Sequence, residues 1–168
     1  MSITLNRPDR RNAFGRQLRD AFVEAISVAQ LDDSMTRVVL AGAGPSFSSG
    51  GDLDEFGTTP DPVTAHRIRM GQSPGWAVHE VRDRMRVELH GACIGAGIEI
   101  PAFADRVEAR VGTWFRLPEL SMGLIPGAGG TVSMTRRMGR WRLAYLVLSG
   151  AAVDLDTALR WGLVDARL

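Results

Sequence analysis

Residues 91–130 read GACIGAGIEIPAFADRVEARVGTWFRLPELSMGLIPGAGG, and no other stretch restricts the fold as much. Two of its acids stand where acids do nothing for solubility. Glu99 lies in the run IGAGIEIPAF, whose glycines and small apolar residues leave no polar stripe, so its carboxylate is expected to be at least half buried. Glu119 follows Pro118 and precedes Leu120, Met122, Leu124 and Ile125, a segment with little polar surface before the turn PGAGG. Two carboxylates sharing one apolar pocket would have their pKa values pushed apart, so that a single residue type supplies both an acid and a base. Spacing alone leaves blander readings open. Glu99 could offset a helix macrodipole, and Glu119 could sit on a loop facing water.

The chain has 168 residues, of which 45% are hydrophobic. That is the size of one ordinary globular domain with a substantial core, spanning 1–168. No apolar run reaches the ~18–20 residues of a membrane span, and the polar start MSITLNRPDRR lacks the apolar centre of a signal peptide, so the cytoplasm is the expected compartment. Cys93 is the only cysteine, which excludes a disulfide within the chain, and its neighbours Ala92 and Ile94 predict a buried thiol. All twenty basic residues are arginines, which rules out Schiff-base lysine chemistry and the Walker-type phosphate loop. The arginines are scattered rather than gathered in a stripe, which argues against a nucleic-acid partner. Phosphates on a small ligand remain compatible with them.

In chain order, Ser2 to Leu5 read as a strand ended by the loop at Pro8. Leu18, Phe22, Ala25, Ile26 and Ala29 fall at helix spacing and predict a helix from about Arg16 to Leu31, closed by Asp32 and Asp33. A short buried strand follows over 37–41. Gly42 and Gly44 do not open a dinucleotide-binding turn, because Pro45 follows and the third glycine is missing. Asp52 is a candidate N-cap. A short helix is expected over Val63–Met70 between Gly- and Pro-rich turns. His66 and His79 have no ligand partners at metal spacing and are expected on the surface. Met85 to Leu89 alternate as a strand in which Arg86 and Glu88 either pair or face a polar cavity. A helix is expected over Gly95–Phe103 with its first amides aimed at the site, and strands over 106–111 and 115–118. Helices are expected over 132–138, over 141–148 with an amphipathic pattern ended by Gly150, and over 155–161 with Asp154 as cap.

Four segments, in order, resemble the crotonase (enoyl-CoA hydratase/isomerase) superfamily: ITLNRPDRRNAF at 3–14, VVLAGAGPSFSSGGDLDEF at 38–56, HGACIGAGIE at 90–99 and FRLPELSMGLIPGAGGT at 115–131. The resemblance implies an α/β fold with a ββα spiral core, stacked β-sheets surrounded by helices. It also implies an earlier strand beside the first one here, and a C-terminal helical region that builds a trimer interface; neither is found within 1–168. Region 57–75 corresponds to a variable wall of the acyl pocket.

The same resemblance implies chemistry on an acyl-CoA. Glu99 and Glu119 correspond to the catalytic acids, and the backbone N–H groups of Gly51 and Ala96 to the oxyanion hole. Ser49, Gly50, Asp52, Gly95, Pro118 and Gly127 surround the substrate. The position where the family usually carries a CoA-binding lysine is Asp54, leaving Arg7, Arg10 and Arg11 as candidates for the CoA phosphates. No metal or redox cofactor is implied, since CoA enters as part of the substrate, and the partner expected besides substrate is a second copy of the chain in a trimer or dimer of trimers. Isomerases of this type keep the acid at Glu119 and lose that at Glu99, so having both favours hydration. An isomerase, a thioesterase and a non-catalytic member that binds acyl-CoA or a partner chain are the alternatives.

Overall fold

The structure is a computed structural model and describes residues 1–168. Its strands are β1 (Ser2–Leu5), β2 (Val38–Gly42), β3 (Met85–Leu89), β4 (Ala92–Ile94), β5 (Arg106–Ala109), β6 (Trp114–Arg116), β7 (Val153–Asp154) and β8 (Ala166–Arg167). Its helices are α1 (Arg16–Leu31), α2 (Pro62–Gly71), α3 (Pro74–Glu80), α4 (Ala96–Glu99), α5 (Gly130–Met138), α6 (Arg140–Ser149) and α7 (Leu155–Trp161). The larger sheet runs β1-β2-β3-β5-β8 with every pairing parallel, and the smaller runs β4-β6-β7. The chain alternates between them, β3 to β4 and then β5 to β6, with helices closing the turns. Isolated bridges Phe14↔Gly51 and Ser48↔Cys93 continue the alternation into the earlier turns. This is the spiral of strand pairs and helices that the four segments implied.

Alternation in sequence becomes two unlike sheet faces. Ile3, Leu5, Val38, Leu40, Met85, Val87, Leu89, Val107 and Ala109 all point into one connected core with Phe47, Cys93, Phe115 and Leu117. Fully burying a side chain such as Phe115 stabilises the fold by about 2–3 kcal/mol. The register Val39↔Arg86↔Arg106, with Glu88↔Glu108 beside it, puts the charged residues on the opposite face. Parallel sheets are usually covered on both faces. Here one face is polar instead, and the open alternative for Arg86 and Glu88 resolves as pairing. The Arg86 guanidinium forms ion pairs with Glu88 and with Glu108 on the next strand, while Arg106 reaches Glu108 at 2.8 Å.

α1 and α7 have the expected limits, and Asp154 caps α7 by accepting from the Thr157 amide. Other elements differ. The helix expected over Gly95–Phe103 is a four-residue helix followed by a 3-10 turn at Pro101–Phe103, because Pro101 has no N–H to continue the ladder. The strands expected over 106–111 and 115–118 are β5 and β6, the first ending at Ala109 and the second running from Trp114 to Arg116. α6 buries Leu143 and Leu146 but exposes Trp141, Tyr145 and Leu148, so apolar residues lie on both of its faces. His79 is half-buried against the rings of Trp76 and Phe103 rather than on the surface. No helix is long and apolar enough to cross a membrane.

Candidate active site

Three backbone segments meet beside β4 of the smaller sheet: the loop Ser48–Gly51, the turn at Gly95 and the turn that opens at Glu119. Ser48 accepts from the Ile94 amide at 3.1 Å and donates its own N–H to Ala92 at 3.2 Å, laying the loop Ser48–Gly51 beside β4. The approach is tight. A Cβ on Gly50 would stand 2.7 Å from the Ile94 carbonyl and 3.7 Å from the Ala96 nitrogen. Gly95 turns the chain from β4 into α4 at φ +51°, a conformation glycine adopts without strain. A Cβ there would lie 2.6 Å from Glu119 Oε1 and 4.0 Å from Gly50 Cα, so Gly50, Gly95 and the Glu119 carboxylate converge on one spot. The amides of Gly51 and Ala96, one on each side of it, have no acceptor within the chain.

Glu99 ends α4 and is 1% exposed. Its Oε2 accepts from the Ala128 amide at 2.9 Å and the Gly130 amide at 2.8 Å, both in the turn that starts α5. A Cβ on Gly130 would meet Glu99 Cγ at 2.6 Å, so a glycine is needed where the turn closes on the acid. Glu119 opens a 3-10 turn after Pro118, is 8% exposed, and its buried Oε2 has no donor within the chain. Neither acid has a cation beside it. Burial raises the Glu99 pKa to about 7, with the nearby charge of Glu119 adding to the effect and the Gly130 and Ala128 amides opposing it. Burial also raises Glu119.

The reading of Glu119 as a loop residue facing water therefore fails, whereas Glu99 does stand in the first turn of α4, with its carboxylate on amides of the turn that starts α5. The apolar run Leu120, Met122, Leu124 and Ile125 does face water: all four are exposed, and Glu119 is buried by Gly95 and its surroundings instead. Gly127 is exposed and does not touch Glu99. Ala128 and Gly130, which sequence reading did not single out, are the residues that hold it. Nothing in a side-chain pattern marks them, because they act through main-chain N–H groups.

Of the three candidate arginines, two are engaged. Arg7 bonds Asp52 at 2.5 Å, and Arg10 bonds both Asp52 and Asp54, while Arg11 forms no ion pair. Asp52 caps the turn at Leu53–Glu55 as expected, and the Arg7 guanidinium chiefly holds its pKa below the usual carboxylate value. Ser49 donates its amide to Arg11 O at 2.9 Å. Cys93 is fully buried, and burial raises its pKa far above that of a free thiol, which makes it inert. A separate cavity of about 290 Å³ is lined by His79, Arg82, Phe103, Asp105, Arg136 and Arg137 and by neither carboxylate.

The family model described as enoyl-CoA hydratase/isomerase matches residues 1–168. The chain belongs to that family. Among curated relatives, the 2,3-dehydroadipyl-CoA hydratase of Escherichia coli is 32% identical over 164 residues, 97% of this chain and 63% of that protein. The trans-2-decenoyl-(acyl-carrier-protein) isomerase of Streptococcus mutans is 29% identical, with 97% of this chain and 64% of that protein covered. The crystal structure of enoyl-CoA hydratase from Thermoplasma volcanium superposes with a TM-score of 0.90 at 29% identity, covering 99% of this chain and 67% of that one. The chain thus spans less than two-thirds of the length of these two curated relatives. As an enoyl-CoA hydratase/isomerase family member it has the α/β spiral architecture that the four sequence segments implied.

Proposed function

We propose that this chain carries the catalytic core of an enoyl-CoA hydratase, adding water across the double bond of an α,β-unsaturated acyl-CoA. The observation that carries the reading is the pair Glu99 and Glu119, both nearly buried, neither beside a cation, and close enough that the charge of one raises the pKa of the other. The thioester oxygen accepts from the Gly51 and Ala96 amides, which stabilise the enolate-like charge as it forms. Removing one such donor typically costs 10²–10³ in kcat, or about 3–4 kcal/mol. Burial raises Glu99 to about 7 against the two N–H bonds to its Oε2, which leaves it available as a carboxylate at neutral pH, while burial and a donor-free Oε2 favour the neutral carboxyl of Glu119. Glu99 accordingly takes a proton from water as the water oxygen bonds to Cβ, and Glu119 gives its proton to Cα. The product is the 3-hydroxyacyl thioester, and one proton passing from Glu99 to Glu119 restores the starting state.

Arg11, which has no carboxylate partner, is the best placed of the three arginines to meet a CoA phosphate. A homo-oligomer belongs to the same proposal, since Ile125, Trp141 and Leu148 supply exposed apolar surface for one; sedimentation of the 168-residue chain tests it. The reaction is tested by product identification from a trans-2-enoyl-CoA in H₂¹⁸O. Label at C3 of a 3-hydroxyacyl-CoA supports hydration. A shifted double bond without label would replace hydration by isomerisation at the same site, and free CoA would indicate thioester hydrolysis.

A further inference from the structure

Asn12 makes no hydrogen bond to either glutamate, yet it is fully buried and sits at φ +55°, directly after Arg11 at φ +49°. Asparagine tolerates this conformation better than most residues, and here its side chain uses both ends. Oδ1 accepts from the Arg7 amide at 2.8 Å. Nδ2 lies 2.9 Å from Ala43 O, 3.0 Å from Ser46 O and 3.0 Å from Phe47 O, so two hydrogens are shared among three carbonyls. The Asn12 carbonyl in turn accepts from Ser48 Oγ at 2.8 Å, and that oxygen accepts from the Gly50 amide at 3.2 Å. Two residues further on, the Phe14 amide donates to the Gly50 carbonyl at 2.7 Å.

Both sides of Gly50 are therefore fastened to the strap of residues 12–14. In a planar trans peptide the C=O and N–H of one unit point in opposite directions. With the Gly50 oxygen turned onto Phe14, the N–H of the same unit, that of Gly51, must point away from the strap, where no acceptor in the chain meets it. We propose that Asn12 is a positioning residue that fixes the direction of the Gly51 N–H, acting through Ser48 and the Phe14 amide. The catalytic consequence rests on the reading of Gly51 as a donor to the thioester oxygen; the orientation itself does not.

The test uses the 168-residue chain with Asn12→Gly, which keeps the φ > 0 conformation accessible, and with Ser48→Ala, which removes the hydroxyl bridge between the Asn12 carbonyl and the Gly50 amide and leaves the Asn12 side chain in place. Three quantities are measured: the N–H residual dipolar coupling of Gly51 against Val87 as a control, the red shift of an aryl-conjugated enoyl-CoA on binding, and kcat apart from KM. For Asn12→Gly the expected result is an altered Gly51 coupling with Val87 unchanged, a reduced red shift, and kcat down roughly 10–100-fold, less than the loss seen when an oxyanion donor is removed outright, with KM little changed. Ser48→Ala shifts all three in the same direction by less, and decides the matter if Asn12→Gly does not fold. Folded variants with the wild-type Gly51 coupling, or kcat that falls only in step with the unfolded fraction, would overturn the proposal. Should the wild-type chain leave the chromophore unshifted, the thioester reading fails, and the Gly51 coupling alone decides the orientation.

Discussion

Glu108 and the pair Glu99 and Glu119 are buried to almost the same degree, at 5%, 1% and 8% exposure, yet they are different kinds of acid. Glu108 lies on the polar sheet face between the guanidiniums of Arg86 and Arg106. Asp52 is like it, at 6% exposure with Arg7 and Arg10 as partners. Glu99 and Glu119 have no cation, and Glu99 has only two main-chain amides. Burial by itself therefore says little. A buried acid on a cation ties strands or loops together, and one without a cation keeps a raised pKa and a proton to exchange.

The largest effect that could break this contrast is catalytic. Glu119→Gln and Glu99→Gln should each lower kcat for enoyl-CoA hydration by about 10³-fold, in the usual range for a positioned acid or base, with circular dichroism unchanged. Activity near wild type in either variant would make the pair no different from Glu108. Next, Glu108→Ala should destabilise the chain by about 2 kcal/mol, less than a fully buried pair because both arginines are partly exposed. Its kcat per folded molecule should not change. Urea unfolding and active-site titration separate the two quantities.

A third prediction turns on pH. The Glu99 pKa is raised from 4.5 to about 7 on folding, so the folded chain holds this proton more tightly than the unfolded one. The associated stability is full below about pH 4.5, declines as pH rises, and is gone above about 7. At pH 8 Glu99→Gln should accordingly be more stable than wild type by about 1–3 kcal/mol, with the gain shrinking towards pH 5; a constant difference across that range would mean Glu99 does not titrate as described. In the wild type, kcat/KM should fall below about pH 7 as Glu99 takes up its proton. The smallest effect belongs to the other class of acid. Arg7→Ala should bring the Asp52 pKa back up towards 3.8 and reduce the stability that is present above that value and lost as pH falls below it. A ¹³C-detected carboxylate titration reads this directly.

The parts legible from sequence were those with a side-chain signature. α1 and α7 end where apolar spacing and flanking aspartates put them, and the burial of Glu99 follows from a run with no polar stripe. The chain path of the spiral came from resemblance, not from periodicity. β4 and β7, three and two residues long, are too short to show any period. Pro101 split a helix that apolar content alone had joined to Phe103. The two amides on Glu99 and the strap around Asn12 were out of reach for a different reason: main-chain donors are the same in every residue, and only the fold decides which ones meet a ligand or a carboxylate.

The all-parallel larger sheet also dictates an order of events during synthesis. With no hairpins, each strand must wait for one made much later, Ser2 for Val39, Val38 for Met85 and Glu108 for Ala166. The strap at Asn12 and the two free amides at Gly51 and Ala96 leave the ribosome before residues 128–130, which alone cradle Glu99. Until that turn emerges, Glu99 lacks the two amides that hold its Oε2, so the setting of this acid is completed only after the loop at Gly51 and the turn into Ala96 have been made.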